Sequence, residues 1–355
     1  MSASGRHAVL AQRMDRQGID HPLERTNNLP ALFRRLQPVA PLAMSYPGSP
    51  PRLVHRTTFN DGEALDVLRR ERRIVKARFQ HARIGYVAAD ELELYATAFR
   101  KPVRALNDVQ ERVLDAVSEI GPADSDQIKA VVDGDGGDPL LKKQIMPALS
   151  RMQQAFLVFE DQTETDWERP WCEFSSEWPD IDLDRMTWEE AVGEVVRRFL
   201  YAMVFATDEQ VSDWTGWSKG KVRKLLETME AEGQIHEAEI DGLGEGYLLE
   251  VVDYDDSITS SCRMLHKTDF LVTAHSTELE SRYADQEVLQ YLLIDGEFQG
   301  AVLGHWRIGP HDVDDVVVEL PEKERVARKA EILIEVKKVY SGRNHEIICY
   351  DGKDL

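Results

Sequence analysis

The chain has 355 residues, of which 42% are hydrophobic and 30% charged, and a formal net charge of −21. That length exceeds an ordinary domain of about 100–200 residues, so two to four modules are expected. No apolar run approaches the roughly 18–20 residues that cross a bilayer, and the opening MSASGRHAVLAQRMDRQG has no signal-peptide core, so no membrane partner and a cytoplasmic location are expected.

Cys172, Cys262 and Cys349 lie far apart with no CxxC pair, which argues against a disulfide framework or a zinc knuckle. The histidines have no HExxH spacing, and DGDGGD at 133–138 lacks the closing glutamate of an EF-hand loop. Neither a metal nor a cofactor is expected. The charge is uneven: residues 1–105 hold 18 Lys and Arg against 10 Asp and Glu, whereas the remaining 250 hold 25 against 54. Such a division predicts different partners, or different solvent demands, for the two parts.

In chain order, AVLAQRMD, LPALFRRL, GEALDVLRRERRIV and ADELELYATAF read as helices, and RIGYVAA alternates like a short strand. Between the second and third helices lies the proline-rich PVAPLAMSYPGSPPRLVHR, a loop ending in Arg52, His55 and Arg56. The densest basic run, RRERRIVKAR at 69–78, reads as a helix on which Arg69, Arg72, Arg73 and Lys76 share a face. With Arg70, Arg78 and Arg83 they form a cationic set, and guanidinium forks match phosphate oxygens.

The segment 207–252 is the clearest. Thr207 or Asp208 caps a short helix, Thr215-Gly216-Trp217 turns, and Ser218 caps a second helix whose Val222, Leu225, Leu226 and Met229 fall on one face. QIHEAEI and GYLLEVV then form a hairpin. Helix, turn, helix, hairpin is the winged-helix order. An earlier segment repeats it at an offset of 83: Val113 matches Val196, Ala123 matches Ala206, and Gln127 matches Gln210. Its second helix, LLKKQIMPALSRMQQ, precedes a strand, FLVFED. Lys142 and Lys143, preceding one recognition helix, and Lys219, Lys221 and Arg223, on the other, are candidate DNA contacts. Trp214 and Trp217 read as core and turn packing. From Asp269 onward DFLVTA, EVLQYLLID, EFQGAVLGHWRI, DDVVVEL, EILIEVKKVY and HEIICYD read as strands, with EKERVARKA as a helix. Strands so arranged are expected to close on themselves, leaving no exposed edge.

The fold expected is mainly α with β: tandem winged-helix domains followed by a small C-terminal β-barrel-like domain. The boundaries are a basic first module at 1–105, a second winged-helix module with an acidic linker at 106–184, a third at 185–259, and a β-rich domain at 260–355. This order, with LFRRLQPVAPL, SPPRLVHR, RRIVKARFQHARIGYVAADEL, WTGWSKGKVRKLLETM and DGEFQGAVLGHWRIG, resembles the AlkZ/YcaQ-type winged-helix DNA glycosylases of crosslink repair. The resemblance implies double-stranded DNA as partner, a monomer, and hydrolysis of the N-glycosidic bond of an alkylated or crosslinked nucleotide. It also implies a catalytic triplet of glutamine, an apolar residue, then glutamine or aspartate, placed near Gln37–Leu42. Here the candidates are Gln37-Pro38-Val39 and Ala40-Pro41-Leu42, neither with a second polar side chain. Gln37 and, before the strand that follows the basic run, His81 are the candidate catalytic residues. Three functions stay open at this point: a glycosylase, a non-catalytic DNA-binding regulator, and a protein-interaction scaffold.

Overall fold

The computed structural model describes residues 4–42, 49–161, 170–250, 252, 258–305, 312–340 and 345–355. Residues 43–48 of the proline-rich loop and Trp306–Gly309 of the tail motif lie outside the described residues. The fold is mixed helix and strand, in two compact units that are both discontinuous in sequence: Met1–Arg35 with Leu53–Phe59 and Arg197–Leu355, and Leu36–Arg52 with Asn60–Val196. No helix among the described residues is long and apolar enough to cross a membrane.

In the unit built on Asn60–Val196, the helix Asp61–Arg70 leads into an antiparallel hairpin, Ile74–Arg78 with Ile84–Ala88, and then into the helix Leu92–Phe99. The basic run is therefore not one helix. It leaves the helical path after Arg70, passes through Arg72 in the left-handed region (φ 55°), and becomes a strand at the β-branched pair Ile74-Val75. The shared helical face expected for Arg69, Arg72, Arg73 and Lys76 does not exist.

The same unit continues with helices Asp108–Ile120, Ser125–Gly134 and Lys142–Gln154 and the strand pair Val158–Glu160 with Trp171–Glu173. Their core is Val113, Val117, Ile128, Ile145, Leu149, Met152 and Trp171.

In the unit containing Arg197–Leu355, the strand Phe205–Ala206, helices Asp208–Thr215 and Lys219–Ala231, and the hairpin His236–Ile240 with Gly244–Leu248 follow in turn. Gly216 ends the first of these helices in the left-handed conformation (φ 75°) that favours glycine. Val222, Leu226 and Met229 are buried on the second helix as its spacing predicts, with Leu225 at the margin.

The 83-residue repeat has a physical basis. Gln127 and Gln210 are each the third residue of a helix whose side chain returns to the cap backbone, Asp124 and Thr207 being the caps. Ala123 and Ala206 each enter a strand pairing, with Trp171 and Tyr247. Val113 and Val196 are both fully buried.

The tail forms a six-stranded sheet in the order Lys353–Asp354, Ile347–Tyr350, Val313–Val318, Glu297–Leu303, Val288–Ile294, Cys262–Leu265. Among the described residues this row has two ends, so it is an open sheet and not the closed barrel expected. One parallel pair, Val313–Val318 with Ile347–Tyr350, is joined through the helix Glu322–Lys337, whose Ile332 and Val336 pack into the sheet core. Two expected strands are thereby corrected. EILIEVKKVY lies largely in this helix: Ile332 and Val336 are buried four residues apart while Ile334 is 63% exposed, a helical and not an alternating pattern. DFLVTA is a short helix, Phe270–Ala274, because Asp269 caps it by accepting from the Leu271 amide at 2.9 Å.

Candidate functional site

Gln37 follows the helix Leu29–Leu36, where the chain runs extended beside the strand Ile84–Ala88. Val39 and Tyr86 exchange both backbone hydrogen bonds at 2.9 Å. A Cβ on Gly85 would come within 3.0 Å of the Pro38 ring, so glycine permits this close approach. Gln37 is 1% exposed. Its Oε1 accepts from the Ala88 amide at 2.7 Å, and its Nε2 donates to the Glu91 carboxylate. Both ends of the amide are thus used, and what they fix is Glu91, a half-buried carboxylate at the start of the helix Leu92–Phe99. Val39 is 6% exposed and belongs to the core, so the triplet's third position supplies no polar group.

His81 is not part of this constellation. It sits exposed in the turn Gln80–Ala82 with φ 51°, at the opposite end of the hairpin from Ala88. Four residue steps of strand separate Ile84 from Ala88, roughly 13 Å.

The cations divide by burial. Lys76 and Arg78, two apart on one strand, project to the same side. Lys76 Nζ meets Glu160 at 2.8 Å with both side chains at most 2% exposed. Arg78 Nε donates to Gln153 Oε1 at 2.7 Å, and Gln153 Nε2 lies 3.4 Å from Glu160, giving one buried network. Arg69, fully buried, pairs with Asp66 at 2.8 Å, and Arg52 with Asp61 at 3.0 Å. In the other unit, Arg56 grips Asp269 through two bonds of 2.6 and 3.0 Å, and His55 donates to the Met264 carbonyl at 2.8 Å beside Glu335. The remainder are more exposed: Arg72 beside Glu177 and Asp161, Arg73 beside Glu71, Arg70 beside Asp66. Lys142 pairs with Asp126, Lys219 with Glu209 and Arg223 with Asp208, all on the surface, while Arg83, Lys143 and Lys221 are exposed. Glu91 was invisible to sequence reasoning: it is 54 residues from Gln37, and an acid opening a helix carries no special signal.

Among the described residues no group of histidine, cysteine and carboxylate side chains could hold a metal ion. Buried Cys172 has its thiol pushed up to about 12 by desolvation, with Glu177 and Asp161 adding to it, which removes it as a nucleophile.

The model of the AlkZ-like DNA glycosylases matches residues 52–320, and the chain belongs to that family. Gln37 and Val39 lie outside the matched stretch; Glu91 lies within it. Among solved structures, the DNA glycosylase AlkZ of Streptomyces sahachiroi is similar to this chain, with a TM-score of 0.69 over 98% of this chain and 99% of that one at 14% identity, a likeness of fold. No curated protein matches the chain.

Proposed function

We propose that this protein is a DNA glycosylase that removes N-alkylated bases from duplex DNA, with Glu91 as the reacting carboxylate and Gln37 as the residue that positions it. The observation that carries this reading is the Gln37–Glu91 pair, which returns a carboxylate to a site whose triplet has lost its second polar side chain. Water adds to C1′ of the damaged nucleotide as the bond from C1′ to the base nitrogen breaks. Glu91 takes the proton of the water and faces the positive charge that develops on the sugar. An alkylated purine already carries positive charge, so it leaves as a neutral base.

The segments 106–184 and 185–259 are read as winged helices between a basic module at 1–105 and the β-rich 260–355. Half-buried Arg72 and the exposed cations Arg73, Arg83, Lys142, Lys143, Lys219, Lys221 and Arg223 are the ones proposed to meet the phosphate backbone. Exposed ion pairs contribute about 0–1 kcal/mol each, so a phosphate can displace their carboxylates. Buried Arg56, Arg69 and Lys76 have no such freedom.

A second reading, a non-catalytic DNA binder, is favoured by the burial of Gln37 and the apolar Val39. Duplex containing N7-methylguanine, incubated with protein and then treated with alkali to cut abasic sites, separates the two. The wild type is expected to give scission, Glu91→Gln to lower the single-turnover rate by roughly a hundredfold or more, and Gln37→Ala to lower it less. Absence of scission at every protein concentration leaves the binder; full activity in Glu91→Gln removes the carboxylate from the mechanism.

A further inference from the structure

In the unit containing Arg197–Leu355, a pocket of about 290 Å³ is lined by the N-terminal helix, the turns at Gly242 and Gly296, and the segment Leu271–Arg282. Arg13 lines it and is 3% exposed. Its Nε donates to the Met203 carbonyl at 2.9 Å and its Nη2 to the Phe205 carbonyl at 3.0 Å. Its Nη1 makes no hydrogen bond among the described residues, and no carboxylate there lies within ion-pair distance of it. Desolvation draws its pKa down to about 10, so the guanidinium stays charged at neutral pH.

A buried cation whose direct hydrogen bonds go to neutral carbonyls, with Glu297 acting on it only from longer range, is costly unless an anion completes it. Arg6, also on the wall, keeps a buried Nε with no hydrogen-bond partner among the described residues, beside its ion pair with Glu297. His275 contributes no charge. Its Nδ1 donates to the Leu271 carbonyl at 2.9 Å and its Nε2 accepts from Gln210 at 2.9 Å, while burial lowers its pKa to about 4.

We propose that this pocket binds a small oxyanion, a phosphate or carboxylate group of a small molecule, on the free donors of Arg13 and Arg6. Glu278 and Glu297 on the same wall are paired with Arg282 and Arg6, and a volume of about 290 Å³ admits a small ligand and not a DNA strand.

Thermal shift and titration calorimetry with inorganic phosphate, and separately with succinate, test the proposal against sodium chloride at equal ionic strength. Saturable binding of at least one is expected, weakened about tenfold or more in Arg13→Met and less in Arg6→Gln. Arg6 is 37% exposed, so its variant remains informative if Arg13→Met fails to fold. The arm that saturates identifies the ligand group. A response equal to that of chloride, unchanged binding in both variants, or loss of duplex affinity in Arg13→Met with phosphate displaced by DNA overturns it.

Discussion

Replacing Lys76 by methionine distinguishes a structural cation from a DNA contact. At 2.8 Å and an effective dielectric constant of about 20, the attraction between Lys76 and Glu160 is about 6 kcal/mol before desolvation is counted. Lys76→Met takes that attraction from Glu160, 1% exposed, whose contacts also include Gln153 Nε2 at 3.4 Å. The expected loss is about 3–5 kcal/mol, whereas Lys76→Met combined with Glu160→Leu should lie near the wild type or up to about 4 kcal/mol above it. Urea unfolding followed by tryptophan fluorescence measures both. The salt dependence of duplex binding by the folded variant should keep its slope, since a lost phosphate contact would flatten it by about 0.9. A stability within about 1 kcal/mol of wild type, together with a flattened slope, would show that Lys76 faces phosphate and that the buried network is wrongly drawn.

Arg56→Met should likewise destabilise by about 3–5 kcal/mol in the same unfolding assay, because Asp269 loses two bonds and stays largely buried. His266 and His275, both brought to about 4 by desolvation, bind their proton more readily unfolded; their contribution is whole above pH 6.5 and lost as pH falls toward 4. The free energy of unfolding across that window should fall by up to about 1.4 kcal/mol per pH unit for each histidine, and an unchanged slope in His275→Gln would count against it. Alkylation of the native protein at pH 8 should spare Cys172 and Cys262, whose thiols burial lifts to about 12; intact-mass labelling of either before unfolding would contradict their environments.

What the sequence made legible was what neighbours decide. Residues 207–252 carry the Thr207 cap, a turn glycine and helical spacing, so helix, helix and hairpin could be read without a partner, although Ser218, at the start of the second helix, makes no side-chain capping bond. RRERRIVKAR could not: a short basic run with apolar residues in its middle fits either period, and the strand Ile84–Ala88 settled it. The charges were misleading for the same reason. Glu160 lies 84 residues from Lys76 and Asp269 lies 213 from Arg56, so the partners that bury these cations leave no trace in the local pattern. Gln37 was visible as a candidate; its true neighbour, Glu91, was not.

The discontinuity of the two units bears on how the chain comes into being. During synthesis, Asn60–Val196 emerges as one uninterrupted stretch, so its unit can close early around local contacts. The opening helix must wait: Arg13 finds the carbonyls of Met203 and Phe205 some 190 residues later. A ribosome stalled once residues 60–196 have cleared its tunnel would therefore display a nascent chain with one finished body and a helix whose Val9, Leu10 and Met14 still await cover.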